Sequence, residues 1–337
     1  MTFSLAINGY GRIGRCVLRA LYETGHREKM RIAAINELAA IESIAHLTRF
    51  DSTHGRFAGD VIVEGDTLYI DDDPIRVFGE SDMEKLPWGE LGVDLVLECS
   101  GRVRERHMAE KHLKSGAKKV MFSCPADREV DATIVYGINH QDLQSGYTVI
   151  SNASCTSNCI VPVIKVLDDA LGIEHGMITT IHSLMNDQPV IDAYHNRDLR
   201  RSRSSSQSVI PVKTELPRGI ARILPHMTGR FEAMALRVPT INVSAIHLNC
   251  FVRTPTDAAT VNTILRDTAT GGLRGVLGYT DLPLVSWDFN HDPHSAVIDG
   301  IETRVSGKTG VNVLAWFDNE WGYANRMLDT ALAFLTA

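Results

Sequence analysis

The stretch 3-FSLAINGYGRIGR-15 decides how the first half of this chain folds. Residues 3–8 are mostly apolar and short, as in a buried strand. The glycine turn 9-GYGRIG-14 follows at once, and Ile13, Val17, Ala20 and Leu21 then keep helical spacing until Gly25 stops the helix. A second apolar run, 31-RIAAIN-36, ends at the acid Glu37. Strand, glycine turn, helix, strand and acid form a dinucleotide-binding βαβ unit. In it, Gly9 permits the tight turn, Gly11 lets a pyrophosphate approach the backbone, and Gly14 lets helix and sheet pack closely. The helix N-terminus offers N–H groups and partial positive charge to that pyrophosphate. Glu37 would accept hydrogen bonds from ribose hydroxyls and repel a 2′-phosphate, so the expected cofactor is NAD rather than NADP.

The rest of the chain narrows the class. With 337 residues there is room for two domains, and the hydrophobic share of 44% is ordinary for a globular protein. No apolar run reaches membrane-spanning length and the N-terminus does not read as a secretory signal, so a cytoplasmic protein with reduced thiols is expected. A net charge of −7 argues against nucleic acid as the main partner. The basic run 197-RDLRRSR-203 reads as a small-anion site, a solvated loop or, against the acidic total, a nucleic-acid arm. Six scattered cysteines without a CxxC pair suggest neither a disulfide framework nor zinc, and no metal is expected.

Further strands are expected at 61–63, 68–70, 93–100, 118–123, 132–137 and 147–151, with helices near 104–115 and 139–144. That alternation predicts a largely parallel sheet. After residue 172 strand patterns dominate, at 176–184, 231–239, 242–253, 284–290 and 311–318, with a helix over 256–270 and another over 319–337. The fold class is therefore α/β: a Rossmann-type dinucleotide-binding domain plus an α+β domain.

The stretch 151-SNASCTSNC-159 poses a separate question. A helix over 153–171, begun by Ser154, puts Cys155 in the first turn, where the helix dipole is expected to lower its pKa from about 8.5. Cys159 lies one turn on and reads as packing. Pro162 within that helix predicts a kink or an altered first turn. His182 ends the next strand and is one of thirteen histidines, a candidate base whose reach to Cys155 spacing alone leaves open.

Together 8-NGYGRIGR-15, SNASCTSNC, 236-LRVPT-240 and 316-WFDNEWGYANRM-327 resemble the phosphorylating aldehyde dehydrogenases typified by glyceraldehyde-3-phosphate dehydrogenase, over essentially the whole chain. The resemblance implies an NAD-binding domain over 1–153, with the helix 319–337 packing back on it, and a catalytic domain over 154–318 with a mixed, mainly antiparallel sheet. It also implies a homotetramer and a sugar-phosphate substrate. Cys155 matches the nucleophile and His182 its activating base. Arg12 and Ile13 match positions whose backbone meets the pyrophosphate. Ser123 lies near the cofactor, Asn319 matches the residue holding the nicotinamide carboxamide, and Tyr323 lies near Asn319. Arg237 and Asp187 match the substrate-phosphate subsite, while Ser154, Thr156, Arg201 and Thr214 match a second anion subsite. The implied chemistry is thiolate attack on an aldehyde, hydride loss with His182 taking the hydroxyl proton, and a thioester; the Cys155 N–H and His182 would stabilise the oxyanion.

Several positions depart from the family type. Glu37 replaces the usual aspartate, Met185 a threonine that bonds the substrate phosphate, Glu215 a glycine, and Ser81 an arginine near the adenine. A carboxylate at 215 would oppose inorganic phosphate. With 288-DFNHDPHSAVIDG-300, these changes look like the branch that oxidises D-erythrose 4-phosphate to 4-phospho-D-erythronate, a step towards pyridoxal phosphate, with water resolving the thioester. The HDPH run itself reads as a turn, since two histidines are too few for a metal. The alternatives are a phosphorylating glyceraldehyde-3-phosphate enzyme and a catalytically silent NAD- or RNA-binding protein.

Overall fold

A computed structural model describes residues 2–195 and 198–337; Arg197 of the basic run lies outside the described residues. The chain divides into two compact units, Met1–Ser154 with Ala324–Ala337, and Cys155–Tyr323. Among the described residues, no helix is long and apolar enough to cross a membrane.

The first unit is built on a sheet whose spatial order is Ala132–Thr133, Val149–Ser151, Lys119–Phe122, Leu95–Glu98, Phe3–Asn8, Met30–Asn36, Asp73–Phe78, Thr67–Ile70 and Val61–Glu64. Pairing is parallel as far as Asp73–Phe78 and antiparallel beyond it. Helices α1 (Arg12–Glu23), α2 (Ile41–Arg49) and α3 (Arg106–Lys114) belong to this unit. The strand Phe3–Asn8 lies between Met30–Asn36 and Leu95–Glu98, where the strand order reverses. That reversal is where open parallel sheets bind ligands, and the glycine turn leaves the sheet there.

A buried polar network ties the ends of those three strands. Trp88 Nε1 donates to His112 Nδ1 (2.9 Å), so His112 Nε2 carries the hydrogen that reaches Glu98 Oε2 at 3.2 Å. Asn8 Nδ2 donates to the same carboxylate oxygen at 2.6 Å, and Ser100 gives its N–H and hydroxyl to the other. Asn36 then joins Asn8 Oδ1 (2.7 Å) to the backbone of Glu80. A buried carboxylate is tolerated when this many donors meet it. The network fixes the residues before Gly9 and before Glu37.

The second unit carries a seven-stranded sheet among the described residues, ordered Ile210–Val212, Phe231–Arg237, Ile173–His182, Ser244–Val252, Gly310–Phe317, Ala296–Ser306 and Leu277–Thr280. Four of its pairings are antiparallel and two parallel, so the expected mixed α+β class holds. Helix α4 (Cys155–Leu171) packs against α5 (Leu216–Ile223) and α6 (Ala258–Thr270). α4 is one element with Pro162 inside it, and its Cys159 is fully buried. Met177, Met234 and Phe251, on three adjacent strands, remain exposed. Helix α7 (Trp321–Thr336) starts in this unit and continues into the first.

Some expectations need correction. Residues 284–290 form no strand: Ser286–Phe289 is a 3-10 turn, closed by Asp288 Oδ2 accepting from Val285 N at 2.8 Å. The run 132–137 contributes only two strand residues, and the helix near 139–144 shrinks to the 3-10 turn His140–Asp142. The HDPH run is a local turn, with Asp292 Oδ1 taking both the His294 N–H (2.9 Å) and its ring Nδ1 (2.8 Å).

Candidate functional site

Strand register in the second unit collects the candidate side chains at one end of the sheet. His182 ends the strand Ile173–His182 and is the direct parallel partner of Arg237. The antiparallel neighbour begins at Ser244, and Ser244 pairs with Phe317, two residues before Asn319. Four sequence-distant residues thus meet because four strands begin or end on one line.

Cys155 opens α4, and its Sγ lies 3.8 Å from His182 Nε2. His182 Nδ1 lies 2.8 Å from the Ser183 carbonyl oxygen. A carbonyl only accepts, so Nδ1 carries the hydrogen and the Nε2 lone pair faces the thiol. Phe317 packs edge-on to the imidazole, with ring centroids 6.2 Å apart. The pair therefore has the geometry of a thiol and the base that takes its proton.

The expected lowering of the Cys155 pKa is corrected. Cys155 as a residue is only half-buried, but desolvation of its Sγ within the fold pushes the thiol up to about 12, opposed by the Thr156 and its own N–H groups and reinforced by Glu320 and Asp318. A helix N-terminus contributes about 1 kcal/mol, too little to offset such burial. Burial also lowers the pKa of His182; the Ser183 carbonyl, Asp187 and Glu320 oppose that, and Arg237 reinforces it. Both shifts act against a thiolate–imidazolium pair. Cys159, one helical turn away, is a poorer nucleophile still, because burial holds its pKa well above the usual thiol value.

Asn319 is anchored by two hydroxyls. Ser183 Oγ and Ser244 Oγ each donate to Asn319 Oδ1 at 2.8 Å, and Ser183 N–H donates to Ser244 Oγ at 3.0 Å. Asp318 beside it is almost fully buried. One of its carboxylate oxygens caps α7 through Glu320 N and Trp321 N; the other accepts from His291 N and Asn242 Nδ2. Sequence reading missed Ser183, Ser244 and Asp318. No motif marks the serines, whereas Asp318 followed by a helix was recognisable as a cap.

Of the anion residues, Arg237, Arg201 and Asp187 come together. Asp187 accepts from Arg237 at 2.8 Å and forms a close ion pair with Arg201. Gln188 Oε1, also missed, takes another Arg237 hydrogen at 3.0 Å. Thr214 Oγ1 accepts from Leu216 N at 3.2 Å. Ser154 and Thr156 flank Cys155 and are half-buried; Tyr323 is buried. Glu215 does not stand as a bare charge: its side chain is 72% exposed and bonds Arg218 at 2.7 Å. Solvent and that partner screen the repulsion expected of it.

In the first unit the turn fits a dinucleotide. A Cβ at Gly9 would lie 2.4 Å from the Ser100 backbone, and Gly9 has φ +89°. A Cβ at Gly14 would lie 2.5 Å from Gly9 O. At Gly11 it would meet nothing within 4 Å, so the turn is open on that side. Gly11 caps α1 without a side-chain hydrogen bond, and the first turn of α1 has no acid, which leaves its positive end for an anion. Ile13 is half-buried in that turn, and the Arg12 guanidinium is drawn to Asp51 at 3.5 Å. The Glu37 carboxylate accepts from Tyr10 N and from Leu38 N, both at 2.8 Å, which pins the acid to the turn. Ser123 N donates to Glu98 O at 3.0 Å.

Residues 3–106 match the family model for the glyceraldehyde 3-phosphate dehydrogenase NAD binding domain, and residues 154–319 match that for the C-terminal domain of the same enzyme. The chain belongs to the glyceraldehyde-3-phosphate dehydrogenase family. It is an NAD-dependent oxidoreductase of that family. NAD, when bound, supplies a hydride acceptor.

Proposed function

We propose that this family member oxidises D-erythrose 4-phosphate to 4-phospho-D-erythronate, with water resolving a thioester on Cys155, as a step towards pyridoxal phosphate. The observation that carries the chemistry is the Cys155 Sγ–His182 Nε2 contact of 3.8 Å with the imidazole tautomer fixed by the Ser183 carbonyl. As sulfur bonds the aldehyde carbon, the thiol proton passes through Nε2 to the carbonyl oxygen, giving a hemithioacetal. Nε2 takes that hydroxyl proton back as hydride leaves, giving a thioester; water then adds to the thioester carbon, the C–S bond breaks with Nε2 returning its proton to the Cys155 sulfur, and the carboxylic acid formed loses its proton to solvent. Arg237, with Asp187, is assigned to the sugar phosphate, which competes with Asp187 for the guanidinium. Asn319 is assigned to the nicotinamide carboxamide, and Glu37 with residues 9–14 to the rest of NAD.

Substrate choice rests on Met185, which is 42% exposed and brings a thioether where the family type has a hydroxyl. One observation favours a second reading, phosphorolysis of a three-carbon substrate: the Glu215–Arg218 pair leaves Glu215 a weak barrier to inorganic phosphate. Initial rates with D-erythrose 4-phosphate and glyceraldehyde 3-phosphate, each with and without phosphate, separate the two. Turnover of the four-carbon sugar in phosphate-free buffer supports the first. A strict phosphate requirement, with an acyl phosphate released and the three-carbon aldehyde preferred, establishes the second. A homotetramer is proposed as well, supported by the exposed Met177, Met234 and Phe251, and is checked by sedimentation.

A further inference from the structure

We propose that Ser183 and Ser244 are positioning residues for the nicotinamide end of NAD: their hydroxyls occupy the Asn319 carbonyl oxygen and so dedicate its NH2 group to the cofactor's carboxamide oxygen. The inference rests on the assignment of Asn319 to the carboxamide.

The hydrogens available in this closed space fix the orientation of the Asn319 amide. Ser183 and Ser244 are 0% and 1% exposed, and Asn319 is 7% exposed, so water does not make up a missing partner. Ser244 Oγ already accepts the Ser183 N–H at 3.0 Å, so its own hydrogen is the one left to give. It reaches Asn319 Oδ1 at 2.8 Å, against 3.4 Å to Ser183 Oγ. The Ser183 hydrogen reaches the same Oδ1 at 2.8 Å. Both lone pairs of that oxygen are then filled.

A flipped amide would break this count. Its NH2 would face the two hydroxyls, whose hydrogens would have only each other's oxygens in the cluster, 3.4 Å apart. At least one hydroxyl hydrogen would lose its acceptor, which in a buried site costs more than the bond itself contributes. A nicotinamide carboxamide can also present either its oxygen or its NH2 group. An asparagine locked with NH2 outward selects the carboxamide oxygen, and thereby which face of the nicotinamide ring turns towards the substrate.

Ser183 serves both halves of the site through different atoms. Its carbonyl sets the His182 tautomer, and its hydroxyl sets the Asn319 amide. Replacing the hydroxyl alone therefore separates the two roles. Ser183→Ala keeps the carbonyl, so the pH profile of Cys155 alkylation by iodoacetamide should stay as in wild type.

The test is calorimetric titration of the full-length protein with NAD and with ADP-ribose, which lacks the nicotinamide. Ser183→Ala, Ser244→Ala and the double variant are compared with Asn319→Ala. Each lost hydroxyl should weaken NAD about fivefold and the pair together about tenfold or more. ADP-ribose should stay within about twofold, which also reports that the fold is intact. Hydride transfer to a single face of the nicotinamide, read with deuterated substrate, should become mixed in the double variant. Equal weakening of both ligands would assign the serines to packing and overturn the proposal. So would serine variants that leave NAD unchanged while Asn319→Ala weakens it. If Asn319→Ala leaves the difference between NAD and ADP-ribose intact, the assignment of Asn319 itself is what fails, and the proposal falls with it.

Discussion

Replacing His182 by asparagine isolates how much the base contributes, because asparagine fills similar space without an acceptor nitrogen of comparable basicity. With the Cys155 thiol pushed up to about 12, little free thiolate is expected at pH 8. Under the proposed mechanism this scarcity matters little in wild type, since the thiol at 3.8 Å can pass its proton directly to Nε2 as sulfur attacks. The base must be neutral to accept, and its pKa is depressed below 6.5 by burial. Wild-type activity should therefore be level through neutral pH and fall on acidification only below about 6.5. His182→Asn should lose about 10²–10⁴ in the hydride-transfer rate, the usual span for a general base. The residual rate should climb about tenfold per pH unit through the alkaline range, tracking free thiolate. The assay is a rapid-mixing burst of NADH, paired with iodoacetamide alkylation over the same range. If wild type and His182→Asn give parallel pH profiles of similar height, the proton does not pass to His182 and the reasoning is wrong.

Other perturbations have equally definite outcomes. Cys155→Ser should abolish NADH formation, whereas Cys159→Ala should keep most activity and lower stability in urea by about 1–2 kcal/mol, the cost of a small void in the fully buried position it leaves. Glu37→Ala removes the acceptor for Tyr10 N and the acid assigned to the ribose, and should weaken NAD about 10–100-fold while narrowing its advantage over NADP, both read by titration. Asp318→Ala removes an acceptor from four donors and uncaps α7, so urea unfolding should show a loss of about 3 kcal/mol. Met185→Thr should raise phosphate-dependent turnover of the three-carbon aldehyde more than Glu215→Gln does, because the Glu215 charge is already screened by Arg218; the reverse order in initial rates would restore Glu215 as the barrier.

The dinucleotide turn was legible because its signal is local: glycines that must be glycine, between a strand and a helix. The helix that opens at Cys155 was legible for the same reason. What escaped was set by distant register. Ser183 and Ser244 are ordinary serines in sequence, and only the pairing of their strands brings both onto Asn319. The thiol's pKa also depends on how far the fold desolvates its Sγ, which a helix position does not reveal. Two strand errors have plain causes. Val285, Trp287 and Phe289 alternate like a strand, but Asp288 bends the chain back on itself. Asp73–Phe78 went unread because Asp73-Pro74 looks like a turn. Pro74 is tolerated because only residues from Arg76 onward pair with Met30–Asn36, beyond the position where its missing N–H would matter to that neighbour.

The division of α7 has a consequence for how the protein is made. Ala324–Ala337 belong to the first unit, where Thr330 bonds Asn152 at 2.7 Å and the Phe334 carbonyl accepts from Lys119 at 2.5 Å. On the ribosome those residues arrive only after the whole of Cys155–Tyr323 has been synthesised. At about 5–20 residues per second the nascent first unit waits roughly ten to forty seconds for its own last helix. During that interval the surface destined for α7 stays bare, including Asn152, which is fully buried in the finished fold. The second unit can close behind it first, so the amino-terminal half of the polypeptide is the half that a chaperone would hold longest.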